Sequence, residues 1–223
     1  MLQHLGIIAD GNRRWAKANG LPTIAGHKKG MEVIEQLVIA SMKAKIPYLT
    51  FYVFSTENWG RAADEVNSLM ALGEARIIPL AKKMAKNNVK LLVLGAHDEK
   101  INPKWASLME KAEKLTENSD GITVSLCFNY GGEQEIADAA NIALTADGEI
   151  TPKTIRKHLY RPELPDLDMI VRTSGEERLS GFMLWRAAYA ELMFMPKYFP
   201  EMTAEDIGVI LKEYEKRHRR FGK

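Results

Sequence analysis

The chain has 223 residues, 46% of them hydrophobic, and its 31 basic and 29 acidic side chains leave a formal net charge of +2. This length suits one sizeable α/β core and is short for two, so we expect a single domain over residues 1–223. The near balance of charge excludes the broad positive field of a nucleic-acid-binding protein, and any anion site must therefore be local.

Cysteine content and hydropathy indicate the cellular compartment. The single cysteine, Cys127, lies in an apolar run, which argues against a disulfide framework or zinc cluster and favours a reducing compartment. The first residues lack the regions of a signal peptide, and no apolar run approaches membrane-spanning length. We expect a cytoplasmic protein without a transmembrane segment.

Short apolar runs alternate with long amphipathic segments along the chain. The runs predict β-strands, and the segments between them predict helices. This alternation favours a mainly parallel sheet with right-handed crossovers. The predicted strands are 5–8, 48–54, 89–94, 122–128 and 169–171; the predicted helices are 28–43, 62–87, 103–116, one opened by Thr151-Pro152 and one from Thr203 to residues 216–220.

The first predicted strand ends on a lone carboxylate, Asp10, followed by Gly11, Asn12, Arg13 and Arg14. Open α/β sheets bind ligands at the carboxyl ends of their strands. A helix after this turn would direct unpaired N–H groups at it, and the arginines would add full positive charge. We interpret the segment as a diphosphate and Mg²⁺ site in which Asp10 supplies one oxygen to the metal. The alternative is a helix capped by Asn12 with two solvated arginines.

The second strand also leads into a polar run, residues 54–59. Ser55, Asn58 and the nearby Arg61 can orient phosphate oxygens or pass a proton, and Trp59 can pack against an apolar tail. The alternative is a capped helix start. His27 opens a helix and can donate to the same anion, although a lone histidine is more often structural.

The richest polar cluster, residues 172–180, follows the last predicted strand. Arg172 and Arg178 match phosphate oxygens in bidentate geometry, whereas the alternative is a surface loop with Arg–Glu pairs. Downstream, Glu191 lies in apolar surroundings and needs a metal or an arginine as partner.

The apolar stripe of helix 62–87 is typical of core packing. The alternative is one wall of an elongated apolar pocket, with Gly73 and Ala75 leaving room for a ligand. Pro79 within the helix is expected to bend it.

Six blocks in this order resemble the cis-prenyltransferase family, typified by bacterial undecaprenyl diphosphate synthase, over nearly the whole chain. They are residues 4–16 with an Asp-Gly-Asn-Arg-Arg-Trp core, 26–28, 54–59 with Arg61, 129–132, 172–180 and 184–191. The resemblance implies a homodimer whose α/β protomer has a mainly parallel six-stranded sheet surrounded by helices, with an apolar tunnel.

The activity implied by the resemblance is that of a Mg²⁺-dependent prenyltransferase. It would condense isopentenyl diphosphate with an allylic diphosphate, expected to be farnesyl diphosphate, to a Z-polyprenyl diphosphate, expected to be undecaprenyl diphosphate. Its apolar product implies transient membrane contact on release. The alternatives are a short- or medium-chain synthase with another primer and, in another class, a non-catalytic partner subunit.

The resemblance also implies residue roles. Asp10 and Glu191 would bind Mg²⁺, and Glu191 would be able to act across the dimer interface. Asn58 stands where the family removes the proton; because an amide is a poor base, we expect it to orient a relay. The expected substrate-binding residues are Gly11, Asn12, Arg13, Arg14 and Trp15 around the allylic diphosphate, Arg172, Arg178, Leu179 and Ser180 around isopentenyl diphosphate, and His27, Ser55, Thr56, Glu57, Trp59 and Arg61 lining the pocket.

Several positions depart from the family's usual pattern. Thr23 replaces an arginine that helps hold the allylic diphosphate, and Arg186, in place of a glutamine, restores that charge only if it points at the site. Val53 replaces an alanine common in long-chain members and predicts a narrower passage, whereas Gly73 and Ala75 argue the opposite way. Gly181 replaces an asparagine that is common in the family, and Ser174 replaces a frequent glycine.

Two further comparisons bear on function. A phosphatase with an aspartyl nucleophile also places an acid after its first strand, but it wants a second acid two residues on, where this chain has Asn12. A non-catalytic subunit would lose the metal-binding acid, which this chain keeps. The end, residues 220–222, resembles a tail that in relatives reaches the partner's active site.

Overall fold

The computed structural model describes residues 1–96 and 99–217, in which six β-strands form one sheet. All five strand pairings are parallel, and the order across the sheet is β3-β4-β2-β1-β5-β6. The strands are β1 (His4–Ile8), β2 (Tyr48–Ser55), β3 (Lys90–Leu94), β4 (Thr123–Tyr130), β5 (Met169–Arg172) and β6 (Glu191–Phe194).

Helices connect the strands and surround the sheet. They are α1 (Asn12–Ala18), α2 (Thr23–Lys43), α3 (Ala63–Lys86), α4 (Pro103–Lys114), α5 (Gly132–Asp147), α6 (Pro152–His158) and α7 (Ala204–Lys216), with 3₁₀ turns at Thr56–Gly60 and Phe199–Glu201. The predicted fold class is confirmed. No helix in the described ranges is long and apolar enough to cross a bilayer.

The sequence signals explain most element boundaries. Every residue of β1 and β5 is buried, as expected for central parallel strands covered on both faces. The predicted caps are confirmed, since Asn102 accepts a hydrogen bond from the Trp105 amide at 2.8 Å and Thr151 accepts one from the Thr154 amide at 3.1 Å.

Three elements differ from the prediction: α2 differs in its start, and β6 and α5 were not predicted. Helix α2 begins at Thr23, directly after Pro22, and not at residue 28. Strand β6 has only four residues, too few for a hydropathy period to stand out. Helix α3 agrees with the predicted segment 62–87 to within one residue at each end and continues through Pro79. Residues 218–223, with the predicted tail, lie outside the described residues.

Strand order decides where the polar segments meet. β1 pairs with β2 on one side and β5 on the other, and Ile8 lies level with both Tyr52 and Arg172. The residues that follow these three strands therefore converge at one point on the carboxyl edge of the sheet.

Candidate active site

The centre of the site is the carboxylate of Asp10. Its Oδ2 accepts a hydrogen bond from Arg172 at 2.9 Å, and its Oδ1 accepts one from Arg14 at 3.1 Å. Burial by itself would raise the pKa of Asp10, but the two guanidiniums outweigh burial and the pKa is lowered. The acid is therefore ionised at neutral pH.

The backbone of Asp10 is held as firmly as its side chain. The Asp10 amide donates to the hydroxyl oxygen of Thr173 at 3.0 Å, and that hydroxyl donates to the Asp10 carbonyl at 2.7 Å. Because Thr173 follows β5, these bonds fix the end of β1 to the end of β5. The carboxylate is thus preorganised between the two arginines.

The turn after Asp10 requires glycine. Gly11 has a φ of 100°, and a Cβ there would lie 2.1 Å from the hydroxyl oxygen of Ser174. Gly11 is also the residue before α1, so the alternative in which Asn12 caps the helix is wrong. Asn12 is the first helical residue, and its side-chain amide donates to the Ala9 carbonyl at 3.1 Å.

The loop after β2 is both a capped turn and part of the site. The Ser55 amide donates to Asn58 Oδ1 at 3.2 Å, and this pair forms a capping box on the 3₁₀ turn. Ser55, Asn58 and Arg61 line the same polar cavity as Asp10. The two predicted interpretations of this loop are therefore compatible.

The loop after β5 supplies the second basic wall. Arg172 Nη1 donates to the Ser180 hydroxyl at 2.8 Å and to the Arg178 carbonyl. The Arg178 side chain is 60% exposed and pairs with Glu176. Arg172 and Ser180 therefore face the polar cavity, whereas the Arg178 guanidinium lies on the surface of the loop.

The polar cavity adjoins an apolar one. The apolar cavity lies between α2, α3 and the sheet, and its walls include Ile34, Leu80 and Phe128. Six residues line both cavities, namely Ala9, Asn12, His27, Val53, Phe54 and Leu69. A diphosphate at Asp10 would thus have an apolar channel beside it.

His27 stands at this junction as a neutral imidazole. Burial, with Arg61 next in weight, lowers the pKa of His27 to about 4. Its Nε2 is buried and makes no hydrogen bond within the described chain. The ring can therefore hydrogen-bond to a ligand without carrying charge at neutral pH.

Some predicted site residues do not line the polar cavity. The Trp59 indole N–H donates to Asn129 at 2.7 Å, and its ring packs on Phe54 with centroids 5.1 Å apart. Leu179 packs against the core. The predicted residues outside the cavity are Trp15, Thr56, Glu57, Trp59, Arg178, Leu179 and Glu191.

Glu191 lies at the opposite end of the sheet. It begins β6 and pairs with Met169, three residues before Arg172, which is about 10 Å along the strand. Arg217 lies 3.9 Å from its carboxylate. Within one chain, Glu191 and Asp10 therefore do not share a site.

The alternative in which helix 62–87 forms one wall of an apolar pocket is supported, since Gly73 and Leu80 line the apolar cavity, but Gly73 and Ala75 do not open extra space there. A Cβ on Gly73 would lie 2.5 Å from the Trp105 ring, which stacks on Phe128 with centroids 4.5 Å apart. Ala75 is exposed and does not line the apolar cavity. Gly73 is small because an aromatic wall packs against it.

The other departures have physical explanations. Arg186 is fully buried, bound to Glu135 at 2.9 Å and to the carbonyls of Tyr160 and Arg161, so it does not point at the site. Gly181 has a φ of 78°, a conformation that glycine and asparagine both tolerate. Thr23 is exposed at the start of α2 and supplies no charge to the cavity.

The sequence analysis assigned no individual role to four contributors to the site, although Thr173 and Glu176 lie within the predicted cluster 172–180. Thr173 anchors Asp10, and Tyr52 lines the polar cavity. Glu65 pairs with Arg13 at 3.4 Å and Arg61 at 3.1 Å, while Glu176 pairs with Arg14 and Arg178. A tyrosine within an apolar strand was a usable signal for Tyr52; nothing in the spacing points to Glu65.

Known proteins share both the sequence pattern and the fold of this chain. Residues 8–222 match the prenyltransferase family model described as putative undecaprenyl diphosphate synthase. An isoprenyl transferase of Thermotoga maritima is 44% identical over 99% of this chain and 96% of its own length, and one of Neisseria gonorrhoeae is 41% identical over 99% and 89%.

Two solved structures share the fold over the full chain. Lavandulyl diphosphate synthase from Lavandula x intermedia, in complex with dimethylallyl diphosphate, has a TM-score of 0.93 at 29% identity, covering 100% of this chain and 98% of that one. A probable undecaprenyl diphosphate synthase from Campylobacter jejuni has a TM-score of 0.86 at 30% identity, covering 100% and 99%.

Fold, site and matches together define an α/β prenyltransferase. Its sheet, its basic pocket and its apolar cavity are combined in one chain. The chain belongs to the cis-prenyltransferase family, among the isoprenyl transferases that resemble undecaprenyl diphosphate synthase.

Proposed function

We propose that this enzyme condenses isopentenyl diphosphate with farnesyl diphosphate and repeats the step to give a long Z-polyprenyl diphosphate, undecaprenyl diphosphate. The observation that carries the proposal is that the Asp10 cavity and the apolar cavity adjoin and share six lining residues. A diphosphate with a growing hydrocarbon chain matches this pair of environments. The dimethylallyl diphosphate bound to the lavandulyl diphosphate synthase gives independent support for an allylic diphosphate.

The donor set fits Mg²⁺. Asp10 offers an ionised carboxylate whose two oxygens each accept only one hydrogen bond from the described residues. Mg²⁺ commonly takes one or two carboxylates and completes its shell with phosphate oxygens and water. When bound, the ion would neutralise charge on the departing diphosphate.

The residues of this chain divide the reaction between them. Arg13 and Arg14 hold the allylic diphosphate, while Arg172 and Ser180 orient isopentenyl diphosphate. The new carbon–carbon bond forms as the allylic carbon–oxygen bond breaks, and the electron pair leaves with the diphosphate. The proton lost from the isopentenyl unit passes to that diphosphate, with Asn58 orienting the transfer.

The apolar cavity holds the product and excludes water. Each isoprene unit buried contributes about 3–4 kcal/mol by methylene counting, so blockage of the cavity and not affinity should stop growth. Product length is therefore set by the residues that narrow the channel.

Val53 lines both cavities, and its truncation tests this idea. We expect Val53→Ala to shift the product distribution to longer chains, measured by mass spectrometry of the dephosphorylated products. Val33→Ala, the same truncation at a buried residue of α2 outside both cavities, is the control. An unchanged distribution in Val53→Ala would refute the narrowing.

The proposed activity is tested by incubating the purified protein with farnesyl diphosphate and labelled isopentenyl diphosphate, with Mg²⁺ or with a chelator. Metal-dependent formation of polyprenyl diphosphate is the expected result. Geranyl and dimethylallyl diphosphates in parallel reactions identify a different primer. Phosphate release from simple monoesters without condensation would favour the phosphatase alternative.

We also propose a homodimer in which Glu191 completes the metal site of the other protomer. Strand β6 is an edge strand whose Leu192 is 37% exposed, and the preceding Tyr189 is 77% exposed. An apolar sheet edge of this kind favours association with a second chain. Glu191, out of reach of Asp10 in its own protomer, lies on this edge strand.

Complementation between two inactive variants tests the shared site. Asp10→Ala and Glu191→Ala, each expected to be inactive alone, are unfolded together and refolded as a mixture. Random pairing restores one intact site in half of the dimers, so we expect about a quarter of wild-type activity. No recovery, although analytical ultracentrifugation shows mixed dimers, would mean that Glu191 does not act across an interface.

A further inference from the structure

The hydroxyl of Tyr52 joins two segments that belong to different parts of the chain. Tyr52 is 8% exposed on β2, and its hydroxyl lies 3.0 Å from the Tyr130 carbonyl and 3.3 Å from the Ser180 carbonyl. Its ring stacks on Phe182 with centroids 5.1 Å apart. The side chain therefore lies between the end of β4 and the loop that carries Ser180.

That loop is held in an unfavourable backbone conformation. Ser180 has a φ of 49°, a left-handed value that is unfavourable for a residue other than glycine. The Gly181 carbonyl accepts a hydrogen bond from the Gly132 amide at 2.8 Å, and a Cβ on Gly132 would lie 2.4 Å from the same oxygen. Such a conformation persists only where the surroundings over-determine it.

The strained residue is also the one that faces the anion pocket. The Ser180 hydroxyl accepts a hydrogen bond from Arg172 at 2.8 Å, and both side chains line the polar cavity. Moving the Ser180 backbone would therefore displace its hydroxyl from the Arg172 guanidinium. The one proton of the Tyr52 hydroxyl is shared between the Tyr130 carbonyl at 3.0 Å and the Ser180 carbonyl at 3.3 Å, and Tyr52 is the described side chain that donates to the Ser180 carbonyl.

We propose that Tyr52 is a positioning residue: its hydroxyl holds the Ser180 backbone so that the Ser180 hydroxyl and Arg172 form a preorganised clamp for one diphosphate. The assignment of that diphosphate to isopentenyl diphosphate rests on the proposed function. Burial, followed by the charge of Glu57, raises the pKa of the Tyr52 phenol, so it remains a hydrogen donor throughout the neutral range.

The test replaces only the hydroxyl. Tyr52→Phe keeps the ring stacked on Phe182, and Tyr48→Phe, the same change on the same face at the other end of β2, is the matched control. Because one hydrogen bond is lost, we expect Tyr52→Phe to bind isopentenyl diphosphate with a dissociation constant about tenfold higher than that of the wild type, measured by calorimetry. The KM for isopentenyl diphosphate should rise equally, with the KM for the allylic substrate and the Tm nearly unchanged.

A double-mutant cycle separates positioning from a general structural role. If Tyr52 acts through Ser180, then Tyr52→Phe should weaken binding less than about twofold in a Ser180→Ala background. Additive effects, an equal rise in both KM values, or an effect equal to that of Tyr48→Phe would overturn the proposal.

The proposed function and this inference fail separately. Wild-type protein that makes no polyprenyl product would refute the function. Calorimetry with inorganic diphosphate still tests the clamp in that case, because binding requires no turnover. Equal affinity of wild type and Tyr52→Phe for inorganic diphosphate would then refute the clamp.

Discussion

Replacement of Asp10 by alanine is expected to lower kcat for polyprenyl diphosphate formation by about a thousandfold or more. The carboxylate lies between Arg14 and Arg172, and it is the acid that faces the polar cavity at the end of β1. Its loss removes the oxygen ligand proposed for Mg²⁺ and leaves the Arg172 guanidinium without its carboxylate partner, whereas Arg14 keeps Glu176. The measurement is initial rate with saturating farnesyl and isopentenyl diphosphates.

Two controls make this result interpretable. Asp10→Asn keeps the size of the side chain and a carbonyl oxygen, so it should retain the fold while losing nearly as much activity. Thermal unfolding of both variants must remain cooperative, because Arg172 has a side chain only 5% exposed and loses a partner. An Asp10→Asn enzyme within tenfold of the wild-type rate would contradict the assigned role.

The largest expected effect on stability comes from a pair outside the active site. Arg186 and Glu135 are both fully buried and bonded at 2.9 Å, and Glu135 also accepts hydrogen bonds from the Tyr130 hydroxyl and the Tyr160 amide. Arg186→Met leaves the Glu135 carboxylate buried without its cation. We expect the free energy of unfolding to fall by about 3–5 kcal/mol, measured by urea titration.

An exposed ion pair provides the matched control. Arg156 lies 2.6 Å from Asp166, with side chains 42% and 52% exposed, and Arg156→Met should cost less than about 1 kcal/mol. Changing both buried partners, in Glu135→Gln with Arg186→Gln, should cost less than the sum of the single changes. At temperatures where Arg186→Met is folded, its KM values for the allylic substrate and for isopentenyl diphosphate should both match the wild type. A rise in only one of these KM values would show that Arg186 contributes to substrate binding.

Much of the fold followed from local patterns. The apolar runs before Asp10, Ser55 and Arg172 predicted strands, and the convergence of their ends followed from the parallel arrangement. The caps at Asn102 and Thr151 were predictable because capping depends on residues within one turn. β6 escaped the periodicity because four residues carry too little pattern.

The sequence predicted which residues form the site but not which of them contact one another. The sequence placed Asp10 and Arg172 at strand ends, yet only the pairing of β1 with β5 brings them within 2.9 Å. It grouped Glu191 with the metal site, whereas the register of β6 places that acid about 10 Å from the level of Arg172 in the same protomer. A register is a relation between distant segments, and no local signal encodes it.

The sequence by itself determined the α/β class, the family and the inventory of basic and acidic groups, because these depend on composition, period and ordered motifs. Only the tertiary structure decided what each group touches. It gave Arg186 a buried partner in Glu135, placed the Trp105 ring against Gly73, and brought the Tyr52 hydroxyl to Ser180. Such contacts arise from close packing between segments far apart in the chain, where a shift of one residue or one rotamer changes the partner.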